Sequence, residues 1–392
     1  MSMHIALILS QPPGYSETFF KSKIKGLQDA GYLVSLFVQK DDPTFNACRV
    51  FKLPKVYKHP IVQALAYLWI ILSLVPYVKR VIRFIKLEHG SKRKKTQIFK
   101  NIYTNASLLK SNVDWLHFGF ATLALQHEHV AKAIEAKMAV SLRGFDIAIY
   151  PLKHPFCYER LWLQVDKVHT ISNDLLDCAY NDGLSKSTNV EKITPAISTV
   201  LFDSSAITKN FSITSTKIIT VGRLHWKKGI IDMLEALFIL KKKHIDFEYQ
   251  IIGDGEQKEE ILFAIHQLRL EKEVSLLGVK TPKEVKELMD ASNIYLQYSQ
   301  SEGFCNAVLE AQAMGLLCIV SDAEGLSENI IDSKTGWVVP KRQPKLLAKT
   351  LESVIAQDDV IKSQFSERAK ARVQHQFTLQ QQQAKFVEFY KD

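Results

Sequence analysis

Apolar residues in this chain gather into short, nearly unbroken runs. Each run is followed by a loop with glycine or proline and then by a stretch of helical spacing. The run His4–Leu9 predicts a strand, and the loop Ser10–Glu17 carries Pro12, Pro13 and Gly14. A helix is expected over Thr18–Ala30, stopped by Gly31, and a second strand over Leu33–Val38. Further strands are expected at Trp115–Phe118, Met138–Leu142 and Lys167–Ile171. Strands buried on both faces read as continuous apolar runs, so this order predicts a parallel α/β sheet.

The second half repeats the theme. Strands are expected at Lys217–Val221, Phe247–Ile252, Val274–Leu277, Ile294–Tyr298 and Leu317–Ser321. Helices are expected between them, at Ile230–Lys242, Gln257–Leu268, Lys283–Asp290 and Ala307–Met314. The tail, Leu346 to Asp392, reads as helices. Two such alternations in one chain predict two doubly wound domains. The boundary is expected near 200–215, where Ser204–Ser215 is rich in Ser and Thr.

One run breaks the pattern. Ile61–Val78 is apolar for 18 residues and is followed by Lys79, Arg80, Arg83 and Lys86, then by Lys92-Arg93-Lys94-Lys95. Its length is at the lower margin for a membrane span, and Gln63, Ser73 and Pro76 weaken that reading. Two readings stand: an interfacial helix on an anionic lipid surface, or a pair of helices packed inside the first domain.

The totals narrow the classes. A length of 392 residues suits two domains, and 46% hydrophobic with 23% charged residues is ordinary for a globular protein. The formal net charge of +10 favours an anionic partner without choosing one. The basic runs lack aromatic interleaving, so no nucleic-acid module is expected. Cys48, Cys157, Cys178, Cys305 and Cys318 are scattered and odd in number, which points to reduced thiols in the cytoplasm. The first ten residues have no basic leader and read as a strand rather than a signal peptide.

Three loops carry candidate chemistry. Ser301-Glu302-Gly303-Phe304-Cys305-Asn306 links a strand to a helix that contains Glu310. The N–H groups at a helix start attract phosphate, and carboxylates accept hydrogen bonds from sugar hydroxyls. Gly222-Arg223-Leu224, then Lys227-Lys228-Gly229, also joins a strand to a helix, and an Arg fork with a Lys ammonium can clamp a diphosphate. Gly253-Asp254-Gly255 is a third glycine turn after a strand. Taken one at a time, these read equally as a surface carboxylate, a solvated basic turn and an ordinary α/β turn. Gln126-His127-Glu128-His129 is not a His-Glu-x-x-His metal site, and a solvated helix end is expected there.

In combination and in this order, the three loops resemble glycosyltransferase family 4, retaining enzymes of GT-B architecture. Ser321-Asp322 and Thr335-Gly336 match later segments of the family. Ser16-Glu17-Thr18-Phe19, His117-Phe118-Gly119, Arg143-Gly144-Phe145-Asp146, Ser172-Asn173 and Pro195-Ala196-Ile197 resemble its colanic acid, capsule and exopolysaccharide enzymes. The resemblance covers nearly the whole chain. It implies two Rossmann-like domains facing a central cleft. Residues 1–205 would bind acceptor and carry an apolar and basic helical insert at about 59–100. Residues 206–375 would bind the nucleotide sugar, and 376–392 would form a helix packing back on the first domain.

The implied activity is transfer of a sugar from a UDP- or GDP-sugar to a lipid-linked or oligosaccharide acceptor, as in capsule or lipopolysaccharide synthesis. A nucleotide-sugar epimerase or a phosphorylase of the same architecture is the alternative. Arg223 and Lys228 would hold the donor diphosphate, Glu310 the ribose, and Glu302 the transferred sugar, helped by the backbone near Phe304, Cys305 and Asn306. Gly14 and Gly253 would let the backbone approach the donor. Glu302, Arg143 and His117 are the expected catalytic residues. Many relatives have His where this chain has Arg143, which cannot act as a general base. The chain has no Asp-x-Asp, so no cofactor and no metal are expected. The expected location is cytoplasmic, with peripheral contact on the inner face of the membrane.

Overall fold

The computed structural model describes residues 2–14, 18–198, 201–202, 211 and 215–391. Ser16 and Glu17, and most of the stretch 204–215, lie outside the described residues. The chain forms two compact units, one of residues 1–193 with 383–392 and the other of 194–382. The divisions were expected after 205 and 375. They fall elsewhere because segment 194–198 pairs with the end of the second unit. Ile197 bridges to Thr378, and the Thr194 carbonyl accepts from Gln382 at 2.8 Å.

The first unit is built on seven parallel strands: β1 (His4–Leu9), β2 (Leu33–Val38), β3 (Arg49–Lys52), β4 (Trp115–Phe118), β5 (Lys137–Leu142), β6 (Lys167–Thr170) and β7 (Asn189–Lys192). Their order is β3-β2-β1-β4-β5-β6-β7. Helix α1 (Thr18–Asp29) joins β1 to β2, and its Phe20, Ile24 and Leu27 enter a core with Ile5, Leu7 and Leu36. Phe386, Phe389 and Tyr390, from the end of the chain, complete that core.

Four helices occupy the chain between β3 and β4: α2 (Pro60–Leu74), α3 (Val78–Gly90), α4 (Lys95–Thr104) and α5 (Ala106–Leu109). A 3-10 turn at Val75–Tyr77, containing Pro76, separates α2 from α3. The packed-interior reading of this apolar run fails: only 6% of its most apolar window is buried. The Gln126–His129 segment is not a solvated helix end either. Glu128 and His129 are buried, with Arg93 on Glu128 at 2.6 Å and Ser91 on His129 at 2.9 Å. It pins α3 and the following turn to the first unit.

The second unit has six parallel strands: β8 (Thr216–Val221), β9 (Phe247–Ile252), β10 (Val274–Gly278), β11 (Ile294–Gln297), β12 (Leu317–Ser321) and β13 (Trp337–Val339). Their order, β10-β9-β8-β11-β12-β13, reverses direction between β8 and β11. Ligands of open α/β sheets bind outside the strand ends at such a reversal. The helix Ile230–Lys242 presents Met233, Leu234, Leu237 and Leu240 to a core with Tyr249, Leu296 and Leu347. Helices Lys258–Gln267, Pro282–Asp290 and Asn306–Ala313 lie between its strands, and Pro344–Ile355, Asp359–Gln376 and Leu379–Phe389 follow β13.

Candidate active site

The loops after β8 and β11 meet at the strand reversal of the second unit. Glycine makes the approach possible. Gly229 has φ +60°, and a Cβ there would stand 2.2 Å from the Tyr298 carbonyl oxygen. The Gln300 N–H donates to the Lys227 carbonyl at 2.6 Å, tying one loop to the other. The loop after β9 is locked on by a second glycine. Gly253 has φ +143°, and a Cβ there would sit 1.9 Å from the Gly222 oxygen. Gly222 N–H donates to Ile252 at 2.9 Å, and Leu224 N–H to Asp254 at 3.0 Å.

On this frame the Lys228 ammonium contacts the Glu302 carboxylate. Burial draws the Lys228 pKa down, but the adjacent Glu302 outweighs it and the net shift is upward, so the ammonium stays charged. Burial also lowers the Lys227 pKa, opposed by Glu302 and Glu324. Arg223 is exposed, within electrostatic range of both lysines, and makes no ion pair among the described residues. Three cations therefore surround one loop whose near carboxylates are Glu302 and Glu324. Glu324 is itself engaged: it accepts from the Glu302 N–H at 2.6 Å and faces Lys341 at 3.6 Å.

The helix Asn306–Ala313 starts beside this cluster, and no side chain caps it. Its first amides and its dipole favour an anion. Glu310, one turn further, makes no side-chain hydrogen bond among the described residues. Burial raises its carboxyl pKa to about 7. Its charge is felt by Tyr295 and Cys305, and Cys305 in turn is in range of Lys228. The Tyr295 hydroxyl donates to Gln297 Oε1 at 3.0 Å and lies 3.2 Å from the Val221 carbonyl, fixing the end of β8 against β11.

In the first unit, the Arg143 guanidinium at the end of β5 stacks on Phe19 at 3.8 Å and Phe20 at 4.7 Å. Asp146 shapes the turn that follows. Its carboxylate accepts from the N–H groups of Ala121 at 3.0 Å, Arg143 at 3.1 Å and Gly144 at 2.9 Å. A Cβ on Gly14 would meet nothing within 4 Å, so space is open beside it. His117 is wholly enclosed. Its Nδ1 lies 2.6 Å from the Tyr390 hydroxyl, and its Nε2 lies 2.7 Å from Ser141 Oγ. Ser141 is 2.8 Å from His169 Nδ1, and His169 Nε2 is 2.9 Å from the Ile193 carbonyl. That carbonyl only accepts, so His169 carries its proton on Nε2. The chain of bonds then puts the His117 proton on Nε2 as well.

Known proteins are similar to this chain in sequence and in fold. The family described as "Glycosyl transferases group 1" matches residues 205–390, which contain all three loops. Residues 205–390 are a group 1 glycosyltransferase domain, and the chain is a glycosyltransferase. A putative colanic acid biosynthesis glycosyltransferase of Escherichia coli, WcaL, is 28% identical over 70% of this chain and 69% of its own length. The amylovoran biosynthesis glycosyltransferase AmsK of Erwinia amylovora is 25% identical over 95% of this chain and 96% of its own. The Anabaena protein HepE, solved in complex with UDP, superposes with a TM-score of 0.74 at 15% identity, covering 98% of each chain; at that identity the likeness shows the fold alone.

Two expectations for the glycosyltransferase need correction. His117 was expected to be catalytic, but none of its ring is open to a substrate, and both its nitrogens are engaged. It positions β4, β5 and the chain end. Cys305 was expected to bind donor through its backbone. Asn329 takes both groups, accepting from the Cys305 N–H at 3.1 Å and donating to its carbonyl at 2.9 Å. The thiol is buried and pushed up to about 11. The Phe304 side chain also turns inward, 5.9 Å from Phe377, while Asn306 stays partly open. Sequence reading missed Glu324, Asn329 and Tyr295. The one available signal was the Ser321-Asp322 strand end, three residues from Glu324.

Proposed function

We propose that the glycosyltransferase moves a sugar from a nucleoside-diphosphate sugar, with retention of configuration, to a lipid-linked or oligosaccharide acceptor of surface polysaccharide synthesis. The observation that carries the reading is the Lys228–Glu302 contact beside Arg223, which has no ion pair among the described residues, and the uncapped helix at Asn306. An incoming diphosphate can take over the Lys228 ammonium and release the Glu302 carboxylate to accept from sugar hydroxyls. The names of WcaL and AmsK support the polysaccharide context, and HepE with UDP supports the donor class.

In the proposed reaction the bond from C1 of the sugar to the diphosphate oxygen breaks, and the acceptor oxygen bonds to C1 on the same face. The acceptor proton passes to the departing diphosphate. Arg223 and Lys228 neutralise the charge that grows there, so two protein cations do the work and the reading needs no metal. Glu310 accepts from the ribose. In the first unit, Arg143 and Gly14 stand on loops at strand ends, where Arg143 is assigned to a charged part of the substrate. None of the five cysteines is joined in a disulfide, which fits a reducing compartment and a cytoplasmic site of action.

The test is nucleoside-diphosphate release from a panel of UDP- and GDP-sugars, with and without lipid-linked acceptor. Glu302→Ala and Lys228→Ala are expected to cut transfer by at least about a hundredfold, as loss of a transition-state contact does, with unchanged circular dichroism. Full transfer in either variant refutes the site. Inversion at C1 in the product refutes retention.

A further inference from the structure

Helix α2 is a long apolar element that the protein leaves uncovered. Trp69 is 74% exposed, Ile61 65%, Leu65 63% and Leu72 57%. Ile61, Leu65, Leu68, Leu72 and Val75 follow each other at spacings of four and three, so they share one stripe, with Val62 and Trp69 beside it. Phe99 of α4, also exposed, extends the surface sideways by stacking on Tyr67 at 5.8 Å. A monomeric soluble protein rarely shows so large a contiguous apolar patch without a use for it.

The edges of this patch are cationic. The same spacing continues past Val75 to Lys79, Ile82 and Lys86, and Lys95 and Lys100 flank Phe99. These four lysines are exposed and make no ion pair among the described residues. Apolar centre and lysine rim together match an anionic bilayer surface, whose hydrocarbon accepts the first and whose headgroups accept the second. A second copy of the chain is a worse fit. A twofold contact through this face would bring the lysine rims of two copies, each carrying a net charge of +10, towards each other.

The other face of α2 is fixed to the first unit. Tyr67 stacks on Tyr103 at 5.0 Å, and Lys110 donates to Ser73 at 3.2 Å. Just beyond it, Arg80 of α3 donates to the Ser111 carbonyl at 2.7 Å and to Asn112 at 2.6 Å. Helix α2 by itself is about 22 Å long, and the continuous run Pro60–Gly90, though long and apolar enough to cross a membrane, carries Lys79, Arg80, Arg83 and Lys86 in its second half, which favours lying at the surface. We propose that α2 lies in the plane of an anionic membrane, burying its Ile61–Val75 stripe and Trp69 among the acyl chains while Lys79, Lys86, Lys95 and Lys100 meet the headgroups. This goes beyond the transfer reading and stands without it.

The experiment is flotation of the full chain with vesicles of phosphatidylcholine alone and of phosphatidylcholine containing phosphatidylglycerol. Wild type is expected to float with the anionic vesicles and far less with the neutral ones, with binding weakened by salt. Trp69→Glu combined with Leu72→Glu should reduce flotation at least about tenfold, with unchanged circular dichroism, since both side chains are exposed. Lys79→Gln combined with Lys86→Gln should cost about fivefold per lysine on anionic vesicles and leave the weak binding to neutral ones unchanged. Glu302→Ala should float like wild type, so failure of the transfer site and failure of the membrane surface read out separately. The proposal is overturned if wild type stays at the bottom with both vesicles, or shows no preference for anionic lipid. It is also overturned if sedimentation shows a dimer, broken by the Trp69 and Leu72 changes, that does not float.

Discussion

Replacing Glu310 by Gln should stabilise the glycosyltransferase at high pH while weakening its hold on the donor. The carboxyl sits on the helix Asn306–Ala313 with no hydrogen-bond partner among the described residues, and burial lifts its pKa from 4.5 to about 7. At about 1.36 kcal/mol per pKa unit, holding this group ionised costs the free protein about 3 kcal/mol once the pH is above 7. The sign follows from proton counting. Between 4.5 and about 7 the folded state holds a proton that the unfolded state has lost, so stability falls as pH rises through that window. Its neighbours Cys305 and Tyr295 titrate far higher, with Cys305 pushed up to about 11, and stay neutral throughout.

Glu310→Gln removes the charge and keeps the shape. Urea unfolding at about pH 5 and pH 8 should therefore show a gain that is about 2 to 3 kcal/mol larger at the higher pH. Titration calorimetry with UDP should show the opposite: loss of a charged acceptor to the ribose costs about 1.5 to 3 kcal/mol, or roughly 10- to 100-fold in affinity. Equal stability gains at both pH values would refute the buried-carboxyl argument. Unchanged UDP affinity would refute the ribose assignment while leaving that argument standing.

Other outcomes follow from single contacts. Gly253→Ala places a methyl 1.9 Å from the Gly222 oxygen at φ +143°, so it should lower unfolding free energy by at least about 1 to 3 kcal/mol; a loss under about 0.5 kcal/mol refutes the close approach. Lys23 is buried in the first unit, with its amine 3.2 Å from His117 Nδ1 and over the Phe386 ring at 4.3 Å, and burial first, then Arg143, drive its pKa well below 10.5. The unfolded state therefore binds more protons between the two pKa values, and wild-type stability from this group rises with pH through that window. Lys23→Met should raise stability by about 1 to 3 kcal/mol at neutral pH, with the gain shrinking towards pH 10.5; a net loss at neutral pH would show that the His117 bond outweighs the burial cost.

How much was legible depended on where each element sits. Central strands such as β1, β8, β11 and β12 are buried on both faces, and their apolar runs announced them. β3, β7 and β13 escaped notice because each lies at a sheet edge, where a strand such as Asn189–Lys192 needs no apolar run. Arg223, Lys228, Glu302 and Glu310 could be named as candidates because charge and glycine stand together at strand ends. Asn329 and Glu324 were not, since their work is to hold another loop's backbone, which leaves no local pattern. His117 misled for the reverse reason: a polar residue at a strand end resembles a reacting group until the chain's last residues are seen to close over it.

The sequence by itself determined the alternation of strands and helices, the two-unit plan and the chemistry at the loop ends, because burial on both faces and the needs of tight turns act over a few residues. Only the tertiary structure decided that β8 and β11 are neighbours, so that residues 228 and 302 touch across 74 positions of chain. It alone decided that Ile61–Val78 is left uncovered. Those outcomes depend on strand order and on what packs against what, and no local run of residues encodes either.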